Sequence, residues 1–301
     1  MPRVIDSHVH LYSPEINRDP VGWAAANGEP HWATLCTRRR KDGRAVQGFP
    51  SVGGLLKAMD AAGVERAVLL GWYWERAENC AAQNRFYAEC VRAQPDRLSG
   101  FATVQPAAGG EVAAGEMRRA REEGLIGLGE LSPHAQGYGA EDENFRAALA
   151  VAAEFGWPVN LHVTDPVSGH YPGRVETPLR DFVRLARAWP GVNFILAHWG
   201  GGLALGAAAE SAGARALGNV FYDTAASPLL YDATVWARGL TGVGAERILF
   251  GSDFPLNVYP KLESEAEMKR MIAEARGARL AAAGLAAVLA GNARRVLLGG
   301  G

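Results

Sequence analysis

The sequence predicts a distorted (β/α)₈ barrel, a ring of eight parallel strands that alternate with helices. Eight short apolar runs rich in β-forming residues recur along the 301-residue chain, and stretches with helical spacing separate them. Strands that are buried on both faces and alternate with helices form parallel sheets. Eight such units fit a closed barrel of about 250 residues. Since no linker interrupts the pattern, we expect a single domain over residues 1–301.

The eight strand candidates follow one another along the chain. They are Val4 to Leu11, Ala67 to Trp72, Leu98 to Gln105, Leu125 to Leu131, Val159 to Thr164, Asn193 to His198, Val220 to Thr224 and Arg247 to Asp253. An open, doubly wound sheet is the alternative fold. Its dinucleotide-binding form is disfavoured because no G-x-G-x-x-G motif opens a helix after the first strand.

Helical spacing predicts the elements between the strands. The candidate helices include Asn79 to Ala93, Gly110 to Glu123, Glu143 to Phe155 and Pro178 to Ala188. The last of these has a start signal, because Thr177 can cap a helix with proline in its first turn. Residues 12–53 form a long first loop that could cover the barrel mouth. The segment from Glu263 to Leu298 predicts extra helices packed outside or across the barrel.

Composition limits the class of partner. The formal net charge is −1, so we expect neither nucleic acid nor an anionic membrane as a partner, and a small molecule as substrate. No uncharged apolar run approaches the roughly 20 residues of a membrane span. Three cysteines without CxxC spacing fit a reducing cytoplasm. The basic run Arg38 to Lys41 adjoins the turn signal Asp42-Gly43, which favours an exposed loop tip over the alternative of an anion site. A homo-oligomer is left open.

Polar side chains interrupt the apolar runs where the strands end. His8 and His10 lie two apart in the first run, so both imidazoles share one face of the strand. The other polar residues at run ends are Glu130, His162, His198 and Asp253. In a barrel, chemistry occurs at the carboxyl ends of the strands. Burying this many polar groups together without an ion or a reaction would cost several kcal/mol.

Imidazole nitrogens and carboxylate oxygens are the ligands that a borderline divalent ion accepts. We therefore predict one divalent ion, with zinc as the first choice and manganese or iron as alternatives. A second ion is left open.

The residues and their order resemble the amidohydrolase superfamily, which has His-x-His on strand one, histidines on strands five and six, and aspartate on strand eight. The segments Ile-Asp-Ser-His-Val-His, Leu-Ala-His-Trp-Gly-Gly and Leu-Phe-Gly-Ser-Asp-Phe-Pro resemble the amidohydrolase-related branch of lactonases, other hydrolases and non-oxidative decarboxylases. The resemblance implies that His8, His10, His162 and Asp253 are metal ligands or lie next to the metal. It also implies that Asp253 acts as the catalytic base, and that His198 stabilises an oxyanion or moves a proton.

The fourth strand departs from the pattern of many two-metal members, which carry a carboxylated lysine there. This chain has Glu130 near that place, similar to the metal-dependent deoxyribonucleases, where a glutamate bridges two ions. Glu130 is therefore a candidate ligand, and its role is left open here.

Loop residues near the predicted mouth are candidates for substrate binding. Arg174 could clamp a substrate carboxylate, unless a neighbouring acidic residue holds it. Aromatic and imidazole side chains could line a pocket for a flat ring. These candidates are Trp72, His170, Tyr171, Trp199 and Tyr222. At the end of the seventh run, Tyr222, Asp223 or Thr224 could hold that arginine or a histidine proton.

The predicted function is metal-dependent hydrolysis of a lactone, ester or amide in a small, carboxylated substrate. Metal-dependent decarboxylation of a carboxylated ring at the same site is the chemical alternative. A non-enzymatic metal-binding barrel is the second alternative, and it requires an ion closed off by four protein ligands. Phosphodiester cleavage in nucleic acid, which Glu130 suggests, is disfavoured by the net charge of −1.

Overall fold

The computed structural model describes residues 3–205, 216–278 and 280–299, and the remainder of the predicted 1–301 domain lies outside these ranges. Each of the eight apolar runs overlaps a strand, as predicted, although β2 begins three residues before its run. The strands are β1 (Val4–Val9), β2 (Val64–Leu69), β3 (Leu98–Gly100), β4 (Leu128–Leu131), β5 (Val159–Leu161), β6 (Phe194–Leu196), β7 (Val220–Asp223) and β8 (Ile248–Leu249). Apart from β2, the strands are shorter than the runs, mostly because the last residues of a run continue into the loop at the barrel mouth.

The strands form a distorted barrel in chain order. β1 to β3 form one parallel sheet and β4 to β8 form another. Isolated parallel bridges join the sheets at both seams, from Ala102 to Leu128 and from Val9 to Phe254. At the second seam, the His10 amide donates a hydrogen bond of 2.8 Å to the Phe254 carbonyl. The barrel prediction is confirmed. The polar residues lie together at the carboxyl-terminal edge of the barrel.

The first loop contains three short helices that begin at prolines. They are α1 (Pro14–Arg18), α2 (Pro20–Asn27) and α3 (Pro30–Cys36). Proline fits the first helical turn because its missing N–H would have no helical partner there. The side chains of Ser13 and Asp19 accept from backbone amides and cap α1 and α2. The long loop is therefore ordered, and it packs beside the barrel mouth through Trp32, which is fully buried.

Longer helices follow most of the strands. They are α4 (Val52–Ala62), α5 (Ala77–Ala93), α6 (Gly110–Glu122), α7 (Glu143–Phe155), α8 (Leu179–Ala188), Val235–Val243 and Lys269–Gly277. Short turns span Ala197–Gly201 and Ser227–Leu230. Of the helices in the described part of the chain, none has the length and apolar character that crossing a membrane needs.

The start of α8 differs from the prediction. The helix begins at Leu179, Pro178 precedes it, and no side chain caps it. The Thr177 hydroxyl instead accepts from the Thr164 amide at 2.7 Å. Thr177 therefore fixes the loop after β5, a long-range contact that local sequence does not indicate.

The last helical segments close the amino-terminal end of the barrel. They comprise Ala282–Ala286, a π-helical stretch at Ala287–Gly291 and Asn292–Leu297. Asn292 donates to the Ile248 carbonyl at 2.7 Å, and Arg294 pairs with Glu65 near the start of β2. Apolar side chains of this segment pack against Ile5 and Phe221 in the barrel interior. The predicted C-terminal helices therefore lie across the barrel, at the end opposite the polar residues.

Candidate metal centre

His8 and His10 direct one nitrogen each at a common point. Both residues belong to the Val4–His10 segment of the first strand run, and both are buried. The two Nε2 atoms lie 3.1 Å apart. Asp253 completes a group of three buried donors, and its Oδ1 lies 3.8 Å from His8 Nε2 and 3.7 Å from His10 Nε2. The predicted grouping of strands one and eight is therefore present.

Glu130, His162 and His198 form a second group of three donors. His162 Nδ1 lies 3.0 Å from Glu130 Oε1 and 3.2 Å from His198 Nε2. These side chains come from the ends of three successive strands, β4, β5 and β6. Parallel strands bring their carboxyl ends to the same edge of the sheet, so residues far apart in sequence meet here.

Glu130 lies between the two groups and faces both of them. Its Oε1 is directed to His162 and His198, and its Oε2 lies 3.5 Å from His10 Nε2 and 3.8 Å from His8 Nε2. The side chain is buried, with 2% of its surface exposed. All six candidate donors therefore belong to one continuous cluster at the barrel mouth.

Two of the donors occupy left-handed backbone conformations. The φ angles are +59° at His198 and +65° at Asp253. Such conformations cost roughly 1–3 kcal/mol each and persist where the surrounding structure enforces them. After His198, three glycines continue the left-handed turn, and a Cβ at Gly200 would lie 2.7 Å from the Tyr222 ring. The His-Trp-Gly-Gly-Gly sequence is thus what allows the chain to present His198 at the mouth.

Buried carboxylates orient the histidines by accepting hydrogen bonds from atoms that do not face the other donors of the cluster. His8 Nδ1–H donates to Asp223 Oδ2 at 2.9 Å, and the His198 amide donates to Asp223 Oδ1 at 3.0 Å. Asp6 Oδ1 accepts from the amides of His8, at 3.2 Å, and Ser252, at 2.9 Å. Asp6 therefore ties the first strand to the segment that carries Asp253.

The electrostatics of the cluster favour positive charge. Burial alone would lower the pKa of His8, but the carboxylates of Asp223, Glu130 and Asp253 raise it to about 10. For Glu130 the two effects have the opposite signs. Burial alone would raise its pKa, but His162 and His8 hold the pKa well below its usual range. Burial lowers the pKa of His162, and this effect exceeds the opposing influence of Glu130.

The donor set fits a divalent cation. His10 Nδ1–H donates to the Leu70 carbonyl at 3.0 Å, and His8 Nδ1–H donates to Asp223. In the neutral rings both Nε2 atoms therefore carry lone pairs, and they face one another at 3.1 Å. Lone pairs at this distance repel each other unless a proton or a cation lies between them, and imidazole with carboxylate is a typical zinc or manganese ligand set.

A cavity of about 460 Å³ opens directly above the cluster. Five of the six donors line it, whereas His8 lies behind His10 and is fully buried. Trp72 and Tyr73 form one wall, with their rings stacked at a centroid distance of 4.3 Å. His170 and Tyr171, which the sequence indicated, also line this cavity, and their contact with substrate stays a prediction.

Two arginines of the basic run line the cavity, in contrast to the exposed loop tip that the sequence favoured. Arg38 and Arg40 line the cavity and are half-buried, although the run from Arg38 to Lys41 was expected to be an exposed loop tip. Within the described residues, Arg38 makes no ion pair and its buried Nε has no hydrogen-bond partner. Burial and the nearby Arg38 lower the pKa of Arg40. The tight turn at Asp42-Gly43 does exist, but only Arg39 and Lys41 of the run are exposed.

Arg174 does not reach the cavity, which corrects the expectation of a carboxylate clamp. It pairs with Glu176, and it donates to the carbonyls of Asp165, at 3.2 Å, and Pro166, at 3.4 Å. The neighbouring acidic residue thus holds this arginine, as the alternative interpretation stated.

Trp199 and Tyr222 also lie away from the cavity, a second correction. The Trp199 indole donates to the Ser227 hydroxyl, and its ring packs on Trp236 at 5.5 Å. Tyr222 is fully buried in the layer outside the strands, because neighbouring residues of a strand face opposite sides and Asp223 faces inward.

Comparison with known proteins relates the chain to one family. A family model described as amidohydrolase matches residues 5–298. No curated protein sequence matches the chain significantly.

Solved structures with the same fold cover nearly the whole chain. The 5-carboxyvanillate decarboxylase of Novosphingobium aromaticivorans, complexed with manganese and a nitrobenzoic acid, has a TM-score of 0.74 at 16% identity and covers 98% of this chain and 96% of its own. The 2,6-dihydroxybenzoate decarboxylase of Rhizobium has a TM-score of 0.68 at 20% identity, with 100% of both chains covered. A probable 2-pyrone-4,6-dicarboxylic acid hydrolase of Acinetobacter baumannii has a TM-score of 0.65 at 14% identity, with 98% of both chains covered. Since the family model spans nearly the entire chain, this protein belongs to the amidohydrolase family.

Proposed function

We propose that this protein is a metal-dependent decarboxylase of a small, carboxylated aromatic ring. The observation that carries the proposal is the composition of the cavity: metal donors at its floor, a stacked Trp72–Tyr73 wall and two arginines at its side. A flat anionic substrate matches all three features. Two of the similar structures described above are decarboxylases of such rings.

We infer that His8, His10 and Asp253 hold the ion, with Glu130 and His162 next to it. Manganese in a similar structure supports manganese as an alternative to zinc. The ion would supply positive charge that binds and polarises substrate oxygens. The second group of donors, Glu130, His162 and His198, could hold another ion. Metal analysis of the purified protein would give the number of ions per chain.

The side chains of the cavity have distinct tasks in this proposal. Trp72 and Tyr73 hold the ring flat, and Arg38 binds an anionic group of the substrate. The bond between the ring carbon and its carboxylate breaks, carbon dioxide leaves, and the electron pair left on the carbon takes a proton. His198 is suited to supply that proton. Burial alone would lower its pKa, but the carboxylate of Glu130, 3.6 Å from His198 Nε2, and the charge of Asp253 raise it.

Hydrolysis of a cyclic ester is the second candidate, and the pyrone hydrolase among the similar structures supports it. In that reaction Asp253 would take a proton from water beside the two strand-one histidines, which its Oδ1 approaches within 3.8 Å. His198 would then hold charge on the tetrahedral intermediate. A non-enzymatic metal-binding barrel is disfavoured, because the cluster lies at the floor of an open cavity.

A substrate panel in ¹⁸O-labelled water separates the candidates. The metal-loaded protein is incubated with hydroxylated aromatic carboxylates and, separately, with carboxylated lactones and pyrones. We expect carbon dioxide from the aromatic carboxylates, without ¹⁸O in the ring product. A labelled ring-opened acid, without carbon dioxide release, would replace the proposal with hydrolysis. If the metal-loaded protein turns over neither class of substrate, both the decarboxylase and the hydrolase candidates are overturned.

A further inference from the structure

Asp223 is a buried residue outside the two groups of donors, and it contacts a histidine of each group. It ends β7 and has no exposed surface. Its Oδ2 accepts from His8 Nδ1 at 2.9 Å and from Asn160 Nδ2 at 3.1 Å. Its Oδ1 accepts from the amides of His198 and Ala225, both at 3.0 Å. One carboxylate thus joins β7 to β1, β5 and the end of β6, and its two oxygens contact different histidines of the site.

The contact with His8 determines which nitrogen of the ring is available. An ionised carboxylate only accepts hydrogen bonds, so His8 must carry a proton on Nδ1. His8 Nε2 is then left to face His10, Glu130 and Asp253. The nitrogen that a neighbour protonates decides which one can bind a metal.

The contact with His198 fixes the direction of its ring. The His198 backbone has a φ of +59°, and the Asp223 hydrogen bond holds its amide in that conformation. His198 Nδ1 donates to the Ala225 carbonyl at 3.1 Å, and Asp223 Oδ1 holds the Ala225 amide. Asp223 therefore holds both the backbone of His198 and the segment on which its imidazole rests, which leaves His198 Nε2 directed at His162 and Glu130.

We propose that Asp223 is a positioning residue that aligns the metal ligand His8 and the proton-handling residue His198 through separate oxygens. The Oδ2 contact sets metal affinity, and the Oδ1 contact sets turnover once the ion is bound. The second half rests on the proposed function, whereas the first half needs only the metal site. A buried aspartate that merely joined the strands would change stability without changing either property.

The variant Asp223→Asn tests the Oδ2 contact. The amide oxygen can still accept from His198 and Ala225, which leaves the NH₂ group facing His8 Nδ1. The Asn160 amide can turn to accept from it, because Asn160 Oδ1 is buried without a partner. His8 Nδ1 must then accept, so its proton moves to Nε2 and the metal ligand is lost. Asp223→Ala removes both contacts.

The control is Glu29→Gln, another change of a buried carboxylate to its amide. Glu29 accepts from the amides of Glu75, at 2.8 Å, and Arg76, at 3.1 Å, and it does not line the cavity. Zinc and manganese dissociation constants are measured by competition with a chromophoric chelator, and folding by circular dichroism. We expect both Asp223 variants to bind zinc about 10- to 100-fold more weakly, and Glu29→Gln to bind as the unaltered protein does.

Two results would overturn the metal half of the proposal. One is a folded Asp223→Asn protein with unchanged zinc affinity, and the other is an equal loss in Glu29→Gln. If Asp223→Ala does not fold, Asp223→Asn still decides the matter because it keeps the volume and the Oδ1 contacts. At saturating metal we expect kcat to fall further in Asp223→Ala than in Asp223→Asn. Equal kcat values in the two Asp223 variants would overturn the part of the proposal that concerns His198. The measurement of metal affinity does not depend on the substrate, so it remains valid even if the proposed substrate class is wrong.

Discussion

The Nε2 atoms of His8 and His10 lie 3.1 Å apart, while a fixed acceptor engages the Nδ1 atom of each ring. The acceptors are Asp223 for His8 and the Leu70 carbonyl for His10. Both rings are therefore oriented before any ion arrives, which reduces the ordering that metal binding requires. The predictions below follow from this preorganised centre and from the cavity above it.

Replacing Asp253 by asparagine should strongly reduce turnover and keep the fold. Asparagine tolerates the left-handed backbone at this position, where φ is +65°. The lost carboxylate should lower kcat/KM by about 10²- to 10⁴-fold. Asp181→Asn, which alters a carboxylate paired with His134 outside the cavity, is the matched control. Retention of full activity in a folded Asp253→Asn protein would contradict the assignment.

Glu130→Gln should weaken the binding of the ion. Glu130 approaches histidines of both groups, with its two oxygens 3.0 Å from His162 Nδ1 and 3.5 Å from His10 Nε2. An amide offers one acceptor in place of two, and it carries no charge. We expect the zinc dissociation constant to rise by about tenfold or more, together with a change in metal content per chain. An unchanged constant and an unchanged metal content would mean that Glu130 is not a ligand.

Arg38→Met should impair substrate binding more than chemistry. The Arg38 guanidinium lines the cavity, and within the described residues no carboxylate pairs with it. Loss of a charge-assisted hydrogen bond should raise KM by about 10- to 100-fold, with a smaller change in kcat. Arg39→Met is the control, because Arg39 is exposed and donates to the Gly43 carbonyl. Equal effects of both substitutions would argue against a substrate contact.

The stability of the first loop should depend on pH through Glu29. Burial raises the pKa of Glu29 from 4.5 to about 6, so the folded protein retains a proton that the unfolded chain has released within this range. The contribution of Glu29 to stability therefore falls as the pH rises from 4.5 to 6. Glutamine does not titrate. The Tm of the unaltered protein minus that of Glu29→Gln should thus decline across this window, and a constant or rising difference would be inconsistent with it.

Most of the fold and the metal donors could be predicted because both depend on position along strands. Apolar runs mark the strands, and a polar residue at the end of a buried run must lie at the barrel mouth. His8, Glu130, His162, His198 and Asp253 follow this rule. The structure assembles all of them, together with His10, in one cluster.

The cavity walls could not be predicted in the same way, because loop paths decide them. Arg38 faces inward since the segment that follows α3 turns back at Asp42-Gly43, and the Arg39–Ala45 bridge fixes that turn. Arg174 belongs to a loop of similar composition, but Glu176 holds it outside. For Tyr222 the signal was available, because it directly precedes Asp223 and must therefore face the opposite side of the strand.

The most direct test of the metal centre is ion binding by the chelator-treated protein. Zinc and manganese dissociation constants are measured for the unaltered protein, for the double variant His8→Ala/His10→Ala and for His134→Ala. His134 is a matched histidine that pairs with Asp181 outside the cavity. We expect tight binding in the unaltered protein and in His134→Ala, and a loss of at least about 100-fold in the double variant. A folded double variant that binds the ion as tightly as the unaltered protein would contradict this account.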